Sequence, residues 1–365
     1  MDERTGTVGT DGRGEALTPR ALRRLVEAMP KAELHLHLDG AVLPATALEL
    51  ARTRGVDAPR DFAGMAAMLV APMPCRDQDQ LLDAFDLPVA LLQDAEALER
   101  VTRELVELEA ATGVRYAEIR WAPALHTERG LRLADGIAAV CDGAASGSAA
   151  TGVEVRLICT AMRSHAPATN VVLAETAARF RDRGLTGFDL AGREERYPDA
   201  SAHRAAFEAA RAGGLRITLH AGEWGGAGQV ERALALDPER IAHGPGAIDD
   251  PALVAELRAR GVVLDLTPTS NVQAGIVRSI EEHPLARLHR AGVRVTLSTD
   301  DPTVSDVRLT DEYEGAIARI GLSPAELWAI DRRALDVAFA DEAALARLRV
   351  EFDAWATGIP ELAAG

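Results

Sequence analysis

The sequence has few cysteines, few aromatic residues and no long apolar segment. Its three cysteines, Cys75, Cys141 and Cys159, are far apart and form no Cys-x-x-Cys pair, which argues against a disulfide framework and against a cysteine zinc site. No apolar run approaches the length of a membrane span, and the first twenty residues lack the apolar stretch of a signal peptide. We therefore expect a soluble, cytoplasmic protein with no membrane partner.

Basic residues are outnumbered by acidic ones. The chain has 40 Lys and Arg against 56 Asp and Glu, which gives a formal net charge of −16 at pH 7. Because nucleic-acid binding depends on clusters of Lys and Arg, this balance argues against a nucleic-acid partner. We interpret the acidic surface as a source of solubility, and the sequence predicts no particular oligomeric state.

Apolar runs of strand type alternate along the chain with helical segments rich in Ala, Leu, Glu and Arg. Most of these runs are continuously apolar, which is typical of parallel strands buried on both faces. We predict eight strands, at residues 32–38, 114–121, 154–161, 185–190, 216–220, 240–243, 262–267 and 293–299. Eight such strand and helix units favour an α/β fold of the (β/α)8, or TIM, barrel type.

The same pattern predicts how the chain is organised. No repeat or linker divides residues 19–365, so we expect one barrel domain there. Residues 1–18 are rich in Gly, Thr, Asp and Arg and are predicted to be a disordered tail. The segment from residue 44 to residue 92 is too long for a simple connection, so we expect it to add helices over the barrel mouth after the first strand.

The most informative motif is His35-Leu36-His37, which lies in the first predicted strand. Side chains two residues apart on a strand project from the same face, so the two imidazoles should point together. Two converging imidazoles supply two of the three protein ligands that are common in catalytic zinc sites. Paired histidines also occur as ordinary polar strand residues, and further residues are needed to decide between these two interpretations.

Polar residues at the ends of other predicted strands favour the metal interpretation. Active sites of barrel enzymes form at the C-terminal ends of the strands, where these residues should meet. The residues that would hold a metal and leave one position for water are His35, His37, His220 and Asp300. Zinc is the ion that we expect, one per chain, with Fe2+, Co2+ or Mn2+ as alternatives.

Three strand ends also supply groups for acid–base chemistry. Gly222 allows the chain to turn after strand 5, so that Glu223 can enter the pocket as a general acid or base. His243 follows strand 6 and is a candidate to orient an attacking water. Pro302 discourages continuation of strand 8, so the adjacent carboxylates of Asp300 and Asp301 can both reach the mouth.

Six sequence motifs carry a resemblance to a known family. They are Glu33-Leu34-His35-Leu36-His37-Leu38-Asp39-Gly40, Gly187-Phe188-Asp189-Leu190-Ala191-Gly192, His220-Ala221-Gly222-Glu223, Arg240-Ile241-Ala242-His243-Gly244, Pro268-Thr269-Ser270-Asn271-Val272-Gln273 and Thr299-Asp300-Asp301-Pro302. In order and approximate spacing, the chain resembles the adenosine deaminase family of metal-dependent amidohydrolase barrels. The resemblance extends over residues 31–302.

The resemblance implies a reaction and a set of roles. The chain would catalyse the hydrolytic deamination of adenosine or 2′-deoxyadenosine, which produces inosine or 2′-deoxyinosine and ammonia. His243, together with Asp300, would orient the attacking water toward C6 of the purine, and Glu223 would protonate N1. Asp301 would bind N7. The Gly192 N–H would bind N3, and Asp39 would bind a ribose hydroxyl.

Some positions depart from the pattern that we expect for this family. Arg193 follows Gly192 where an acidic residue is usual, Trp224 follows Glu223, and Thr267 replaces a common cysteine. Arg163 and Arg193 lie near the rims of strands 3 and 4, and their guanidinium groups could bind an anionic substituent of the substrate. That pairing would favour an alternative substrate, 6-aminodeoxyfutalosine of menaquinone biosynthesis, over adenosine. Surface arginines that balance an acidic rim are the competing interpretation.

Three other functions are less favoured. The motif that contains Asp39 and the run from Thr269 to Gln273 resemble the nucleoside branch, which argues against free adenine as the substrate. A binuclear hydrolase would usually carry a lysine on strand 4, and residues 185–192 contain none. A binding protein without catalysis would be expected to have lost metal ligands or Glu223.

Overall fold

The structure is a computed structural model that describes residues 8–10 and 16–362. Its eight parallel strands are β1 Lys31–His37, β2 Val114–Trp121, β3 Glu154–Met162, β4 Leu185–Ala191, β5 Arg216–His220, β6 Arg240–Ala242, β7 Val263–Leu266 and β8 Arg294–Leu297. Each strand pairs with the next one in chain order. Backbone hydrogen bonds that link Asp300 to His35 and His37, at 3.0 and 2.7 Å, connect the end of β8 to β1. The predicted (β/α)8 barrel is confirmed.

Every predicted strand is present, and no strand end differs from its prediction by more than two residues. Two of the differences have a common cause. His243 and Asp300 both adopt left-handed backbone angles, with φ values of 70° and 73°. Non-glycine residues rarely adopt this conformation, and the chain cannot continue as a strand through it. Therefore β6 ends before His243, and β8 ends before the segment that contains Asp300.

The α-helices surround the barrel and cover its mouth. They are α1 Pro19–Ala28, α2 Pro44–Arg54, α3 Phe62–Leu69, α4 Gln78–Leu82, α5 Asp86–Leu91, α6 Ala95–Ala111, α7 Leu133–Thr151, α8 Pro167–Ala177, α9 Arg204–Ala212, α10 Gly226–Leu234, α11 Pro251–Arg260, α12 Pro268–Gln273, α13 Leu285–Arg290, α14 Leu309–Ala318, α15 Pro324–Val337 and α16 Glu342–Ala356. Buried aliphatic side chains of these helices and of the strands form the main core.

The segment from residue 44 to residue 92 contains the predicted additional helices, α2 to α5. Part of this segment is tied to the C-terminal end of the barrel by backbone hydrogen bonds, from Cys75 to Gln273 at 2.6 Å and from Ala71 to Val304 at 3.0 Å. Phe85 of the same segment packs in a small apolar cluster with Trp224, which follows β5. The insertion therefore lies over the end of the barrel where the strand-end residues meet.

The N-terminal region is described only in part. Residues 8–10 pair antiparallel with residues 16–17. The other residues of the predicted disordered tail before Thr18, namely 1–7 and 11–15, lie outside the described residues, and the prediction of disorder stays a prediction. Among the helices of the described residues, none has the length and apolar character that a membrane crossing would need.

Candidate active site

Three imidazoles and one carboxylate converge at the C-terminal end of the barrel. The Nε2 atoms of His35, His37 and His220 lie between 3.1 and 3.3 Å from one another. Asp300 Oδ1 lies 3.0 Å from the Nε2 atom of His35 and 3.3 Å from that of His37. Ligand atoms bound tetrahedrally at 2.0–2.1 Å from one ion are about 3.3 Å apart. These four atoms therefore have the spacing of ligands to a single divalent metal.

The protonation states of this cluster also suit a metal. Burial lowers the pKa of His35 well below its usual value and lowers the pKa of His37 to about 4, so both imidazoles are neutral at pH 7. Burial alone would raise the pKa of Asp300, but His35 and His243 beside it hold that pKa well below its usual range. Among the described residues, Asp300 Oδ1 accepts no hydrogen bond. Neutral imidazoles and an ionised carboxylate with one free oxygen are the forms that coordinate a divalent metal.

Hydrogen bonds behind the cluster orient its members. Nδ1 of His220 lies 3.1 Å from Oδ1 and 3.0 Å from Oδ2 of Asp189 on β4. Asp189 in turn accepts a hydrogen bond from Thr160 at 3.1 Å. Ser270 donates to Oδ2 of Asp300 at 2.7 Å, which leaves Oδ1 directed at the imidazoles. Such outer contacts orient the ring of a ligand histidine and increase its basicity.

His243 lies beside this cluster, at a slightly greater distance. Its Nε2 atom is 3.7 Å from Asp300 Oδ2 and 3.9 Å from Glu223 Oε2. Its side chain is buried, and burial lowers its pKa to about 3, so the ring is neutral. His243 can therefore contact a small molecule that lies between the cluster and Glu223, as its predicted role requires.

Two further carboxyl groups, those of Glu223 and Asp301, border the cluster. Gly222 has a φ of +75°, which turns the chain after β5 and carries Glu223 toward the pocket. Burial raises the pKa of Glu223 well above its usual value, and the charges of Asp300 and Glu194 raise it further. Burial, followed by the charge of Asp300, raises the pKa of Asp301 in the same way. Both groups therefore favour the protonated form more strongly than ordinary carboxyl groups do, and a protonated carboxyl can donate a hydrogen bond or a proton.

The turn that carries Glu223 is anchored by Glu194, a residue that our sequence predictions did not include. Its buried carboxylate accepts hydrogen bonds from the backbone N–H groups of Gly222 at 2.8 Å, Trp224 at 2.8 Å and Gly225 at 3.1 Å. Three backbone donors on one carboxylate restrain this turn strongly, because charge-assisted hydrogen bonds are the strong ones. The orientation of Glu223 therefore depends on Glu194.

Arg163, predicted to be a substrate ligand at the rim, is buried within the protein. Its guanidinium donates to the backbone carbonyl oxygens of His220 at 2.8 Å and Tyr197 at 3.0 Å. It also lies 3.7 Å from the Glu194 carboxylate, and Arg163 is only 3% exposed. These contacts occupy both terminal nitrogens of the Arg163 guanidinium, which a substrate anion would need as its hydrogen-bond donors.

Arg193, the other predicted anion ligand, is partly exposed and paired. Its Nε atom lies 2.5 Å from the carboxylate of Asp79 on α4, which belongs to the segment inserted after β1. The pair joins the inserted segment to the rim after β4. The guanidinium of Arg193 therefore already has an anionic partner inside the protein.

The residues predicted to contact the sugar and purine N3 follow β1 and β4, two strands that are not adjacent in the barrel. Asp39 Oδ1 lies 2.8 Å from His126 Nε2, and Asp39 Oδ2 accepts from the N–H of Ala122 at 3.3 Å. Gly192 directly follows β4 and has a φ of +104°. Gly40 is adjacent to Asp301, and a Cβ atom at Gly40 would lie 1.9 Å from Asp301 Oδ1, so only glycine fits there.

A (β/α)8 barrel that gathers imidazoles and carboxylates at its C-terminal strand ends is the architecture of a metal-dependent hydrolase. The sequence model of the adenosine deaminase family matches residues 30–355. The chain belongs to the adenosine deaminase family and is a hydrolytic deaminase. The family predicted from the six motifs is confirmed.

Individual relatives agree with this assignment. The chain is 36% identical over 314 residues to an adenosine deaminase of Enterococcus faecalis, and the match covers 86% of this chain and 93% of the relative. A crystal structure of an amidohydrolase from Burkholderia ambifaria with bound Zn has a TM-score of 0.84 and 28% identity, and it covers 97% of this chain and 98% of that one. Arabidopsis ADAL complexed with IMP has a TM-score of 0.79 and 30% identity, over 90% and 97% of the two chains.

Proposed function

We propose that this protein catalyses the hydrolytic deamination of adenosine or 2′-deoxyadenosine, which yields inosine or 2′-deoxyinosine and ammonia. The observation that carries the proposal is the arrangement of four candidate metal-ligand atoms, at spacings of 3.0 to 3.3 Å, beside the buried carboxyl groups of Glu223 and Asp301, whose pKa values are raised. The name of the Enterococcus relative and the IMP bound to the Arabidopsis neighbour support a purine substrate.

Zinc is the metal that we propose for the cluster, one ion per chain, with Fe2+, Co2+ or Mn2+ as substitutes. Imidazole nitrogens and one carboxylate suit zinc, and the Burkholderia neighbour binds it. The residues that would hold it are His35, His37, His220 and Asp300. When bound, zinc supplies the Lewis acidity that makes water a nucleophile near neutral pH.

The residues of the chain itself supply the proton transfers. N1 and N7 of a 6-aminopurine are both hydrogen-bond acceptors, and each needs a donor. Glu223, whose raised pKa keeps it protonated, would deliver a proton to N1 as C6 becomes tetrahedral. Asp301, protonated for the same reason, would donate a hydrogen bond to N7. Nε2 of His243, near Asp300 and Glu223, would orient the attacking water.

The substrate contacts favour a nucleoside without an anionic substituent. We propose that Asp39 binds a ribose hydroxyl and that the N–H of Gly192 binds N3 of the purine. Recognition of 6-aminodeoxyfutalosine would need a cation for its carboxylate. The two candidates, Arg163 and Arg193, instead bind backbone carbonyls and Asp79. These contacts favour adenosine over that alternative.

The remaining organisation is inferred from the same observations. We propose that residues 19–365 form one catalytic domain, which is supported by a ring of strands that runs without interruption from Lys31 to Leu297. The acidic composition and the small purine substrate support a cytoplasmic location.

The test is a comparison of four substrates with zinc-loaded protein. Adenosine, adenine, AMP and 6-aminodeoxyfutalosine are each followed by the ultraviolet change from a 6-amino to a 6-oxo purine. We expect the highest kcat/KM for adenosine, and in Glu223→Gln a loss of about 10²- to 10⁴-fold in kcat with the metal content retained. A preference for the futalosine would overturn the substrate assignment. Inactivity toward all four substrates, with one metal bound, would overturn the function.

A further inference from the structure

A chain of buried hydrogen bonds leads from the start of α13 to His243. It begins at the backbone N–H of Leu285, which donates to Nδ1 of His283 at 3.2 Å. A backbone N–H can only donate, so Nδ1 of His283 carries no proton. His283 is 3% exposed, and its one proton must therefore lie on Nε2.

The next link fixes the orientation of an amide. Nε2 of His283 lies 3.0 Å from Oδ1 of Asn271, and because this nitrogen is protonated it donates to that oxygen. The amide nitrogen Nδ2 of Asn271 is thereby directed the other way, toward Nδ1 of His243 at 3.1 Å. An amide N–H2 group can only donate, so Nδ1 of His243 must accept.

Thr267 reinforces the same assignment. Its hydroxyl oxygen lies 3.0 Å from Nδ1 of His243 and 3.3 Å from Nδ2 of Asn271. Because the hydroxyl accepts from the amide of Asn271, its own proton is free to point at Nδ1 of His243. A proton on Nδ1 of His243 would instead face the amide protons of Asn271 at short distance. Two donors therefore converge on this nitrogen, which must be the acceptor.

We propose that His283 and Asn271 are positioning residues that hold His243 as the tautomer protonated on Nε2. Nε2 is buried, is the nitrogen that faces Asp300 and Glu223, and has no hydrogen-bond partner in the part of the chain that the structure describes. His243 therefore donates a hydrogen bond to the oxygen of the attacking water and cannot accept a proton there. The effect on catalysis rests on the proposed function, whereas the tautomer itself does not depend on any substrate.

The first test reads the tautomer directly. Wild-type, zinc-loaded protein is labelled with 15N-histidine, and the His243 signals are assigned by their loss in His243→Gln. We expect an unprotonated, pyridine-type Nδ1 and a protonated Nε2. A protonated Nδ1 would overturn the proposal. This spectrum needs no substrate, so it stays informative even if adenosine is not deaminated.

The second test alters the chain of hydrogen bonds. Asn271→Asp places only acceptor oxygens beside His243, so we expect the proton to move to Nδ1, with kcat lowered about 100-fold and KM within about threefold of wild type. His283→Leu frees the amide to rotate, and we expect a mixture of tautomers with kcat lowered about 10-fold.

The control is His289→Leu, the same chemical change on α13 at a residue without a contact to Asn271. We expect its His243 spectrum and kcat to match wild type. If His283→Leu and Asn271→Asp both retain the wild-type tautomer in folded protein, the two residues do not position His243. If kcat falls only in proportion to lost thermal stability and bound zinc, their role is structural rather than positioning.

Discussion

Two buried polar clusters lie inside the barrel, and they differ in whether their charges are matched. In the first, which we call the interior ion network, Arg240 pairs with Glu118 and lies 3.1 Å from Asp265. Arg120 lies 3.7 Å from Asp265 and 3.5 Å from Asp189. The second is the metal cluster, in which the imidazoles of His35, His37 and His220 meet the Oδ1 atom of Asp300, which accepts no hydrogen bond from the described residues.

The difference distinguishes a cluster that stabilises the fold from a cluster that is arranged to bind an ion. Burying a charge is costly unless it is paired, and the interior ion network pairs each of its carboxylates with a guanidinium. The metal cluster has a carboxylate and imidazole lone pairs but no cation among its own residues. Its ligand atoms are therefore arranged for an ion that the chain does not encode. Asp189 joins the two clusters, because it contacts both Arg120 and His220.

Of the changes considered, removal of the metal from the metal cluster should have the largest effect. Dialysis against a chelator should abolish deamination and lower the unfolding temperature, because ion binding stabilises the folded state. One equivalent of zinc per chain should restore both properties. Deamination by protein that atomic spectroscopy shows to be metal-free would contradict the assignment of the cluster.

Arg240→Met should leave the interior ion network with unpaired carboxylates. The change leaves Glu118 and Asp265 buried without their closest cation, so we expect the free energy of unfolding to fall by about 3–5 kcal/mol. The measurement is urea denaturation. Arg278→Met is the control, because Arg278 is 85% exposed and its loss should leave stability nearly unchanged. Equal stability of the two variants would refute the contribution of the interior network.

Lys31 extends the comparison of matched and unmatched buried charges, since it is a buried cation that has no carboxylate hydrogen-bond partner among the described residues. It is the only lysine in the chain, and its Nζ atom donates to the backbone oxygens of Met29 at 2.8 Å and Thr112 at 2.9 Å. Burial lowers its pKa to about 8, from a usual value of about 10.5.

The sign of the resulting pH dependence follows from proton binding. Between pH 8 and pH 10.5 the unfolded chain keeps the lysine proton while the folded protein loses it, so the free energy of unfolding should rise with pH. Relative to Lys31→Met, wild type should gain at most about 3 kcal/mol across this range. Denaturant titrations at several pH values measure it. A flat or falling difference would show that Lys31 keeps its charge in the folded protein.

Glu194→Gln alters the turn beside the metal cluster and should have the smallest effect of these changes. The amide presents one N–H2 group to backbone N–H donors, so the turn and Glu223 should shift slightly. We expect kcat to fall about 10-fold, with KM within about twofold of wild type, because catalysis is sensitive to small misplacements. Glu195→Gln makes the same change at an exposed neighbour and should behave as wild type. Equal kcat in the two variants would remove Glu194 from the positioning of Glu223.

Much of the fold followed from the sequence because the relevant patterns are local. Continuous apolar runs mark parallel strands buried on both faces, and they placed β2 and β5 at their observed bounds. The ends of β6 and β8 were less accurate, since the left-handed conformations of His243 and Asp300 depend on contacts at the barrel mouth. No local pattern predicts a left-handed histidine or aspartate.

The site was predictable in part for the same reason. The strand period places His35 and His37 on one face, and the barrel topology brings the ends of β1, β5 and β8 together. The supporting residues were not predicted. Glu194 contacts the turn after β5, and His283 contacts Asn271 on α12, and neither contact leaves a periodic signal in the sequence. Arg163 was misjudged as a rim residue because sequence does not report burial.

By itself the sequence determined the barrel, the candidate metal-binding residues and the chemical class, because strand periodicity and the residue types at strand ends are local properties. Only the tertiary structure decided which partner each polar group has. It assigned Arg163 to backbone carbonyls, Arg193 to Asp79, and the amide of Asn271 to His243. Hydrogen bonds act over about 3 Å, and the distances between side chains from distant segments are set only when the whole chain has packed.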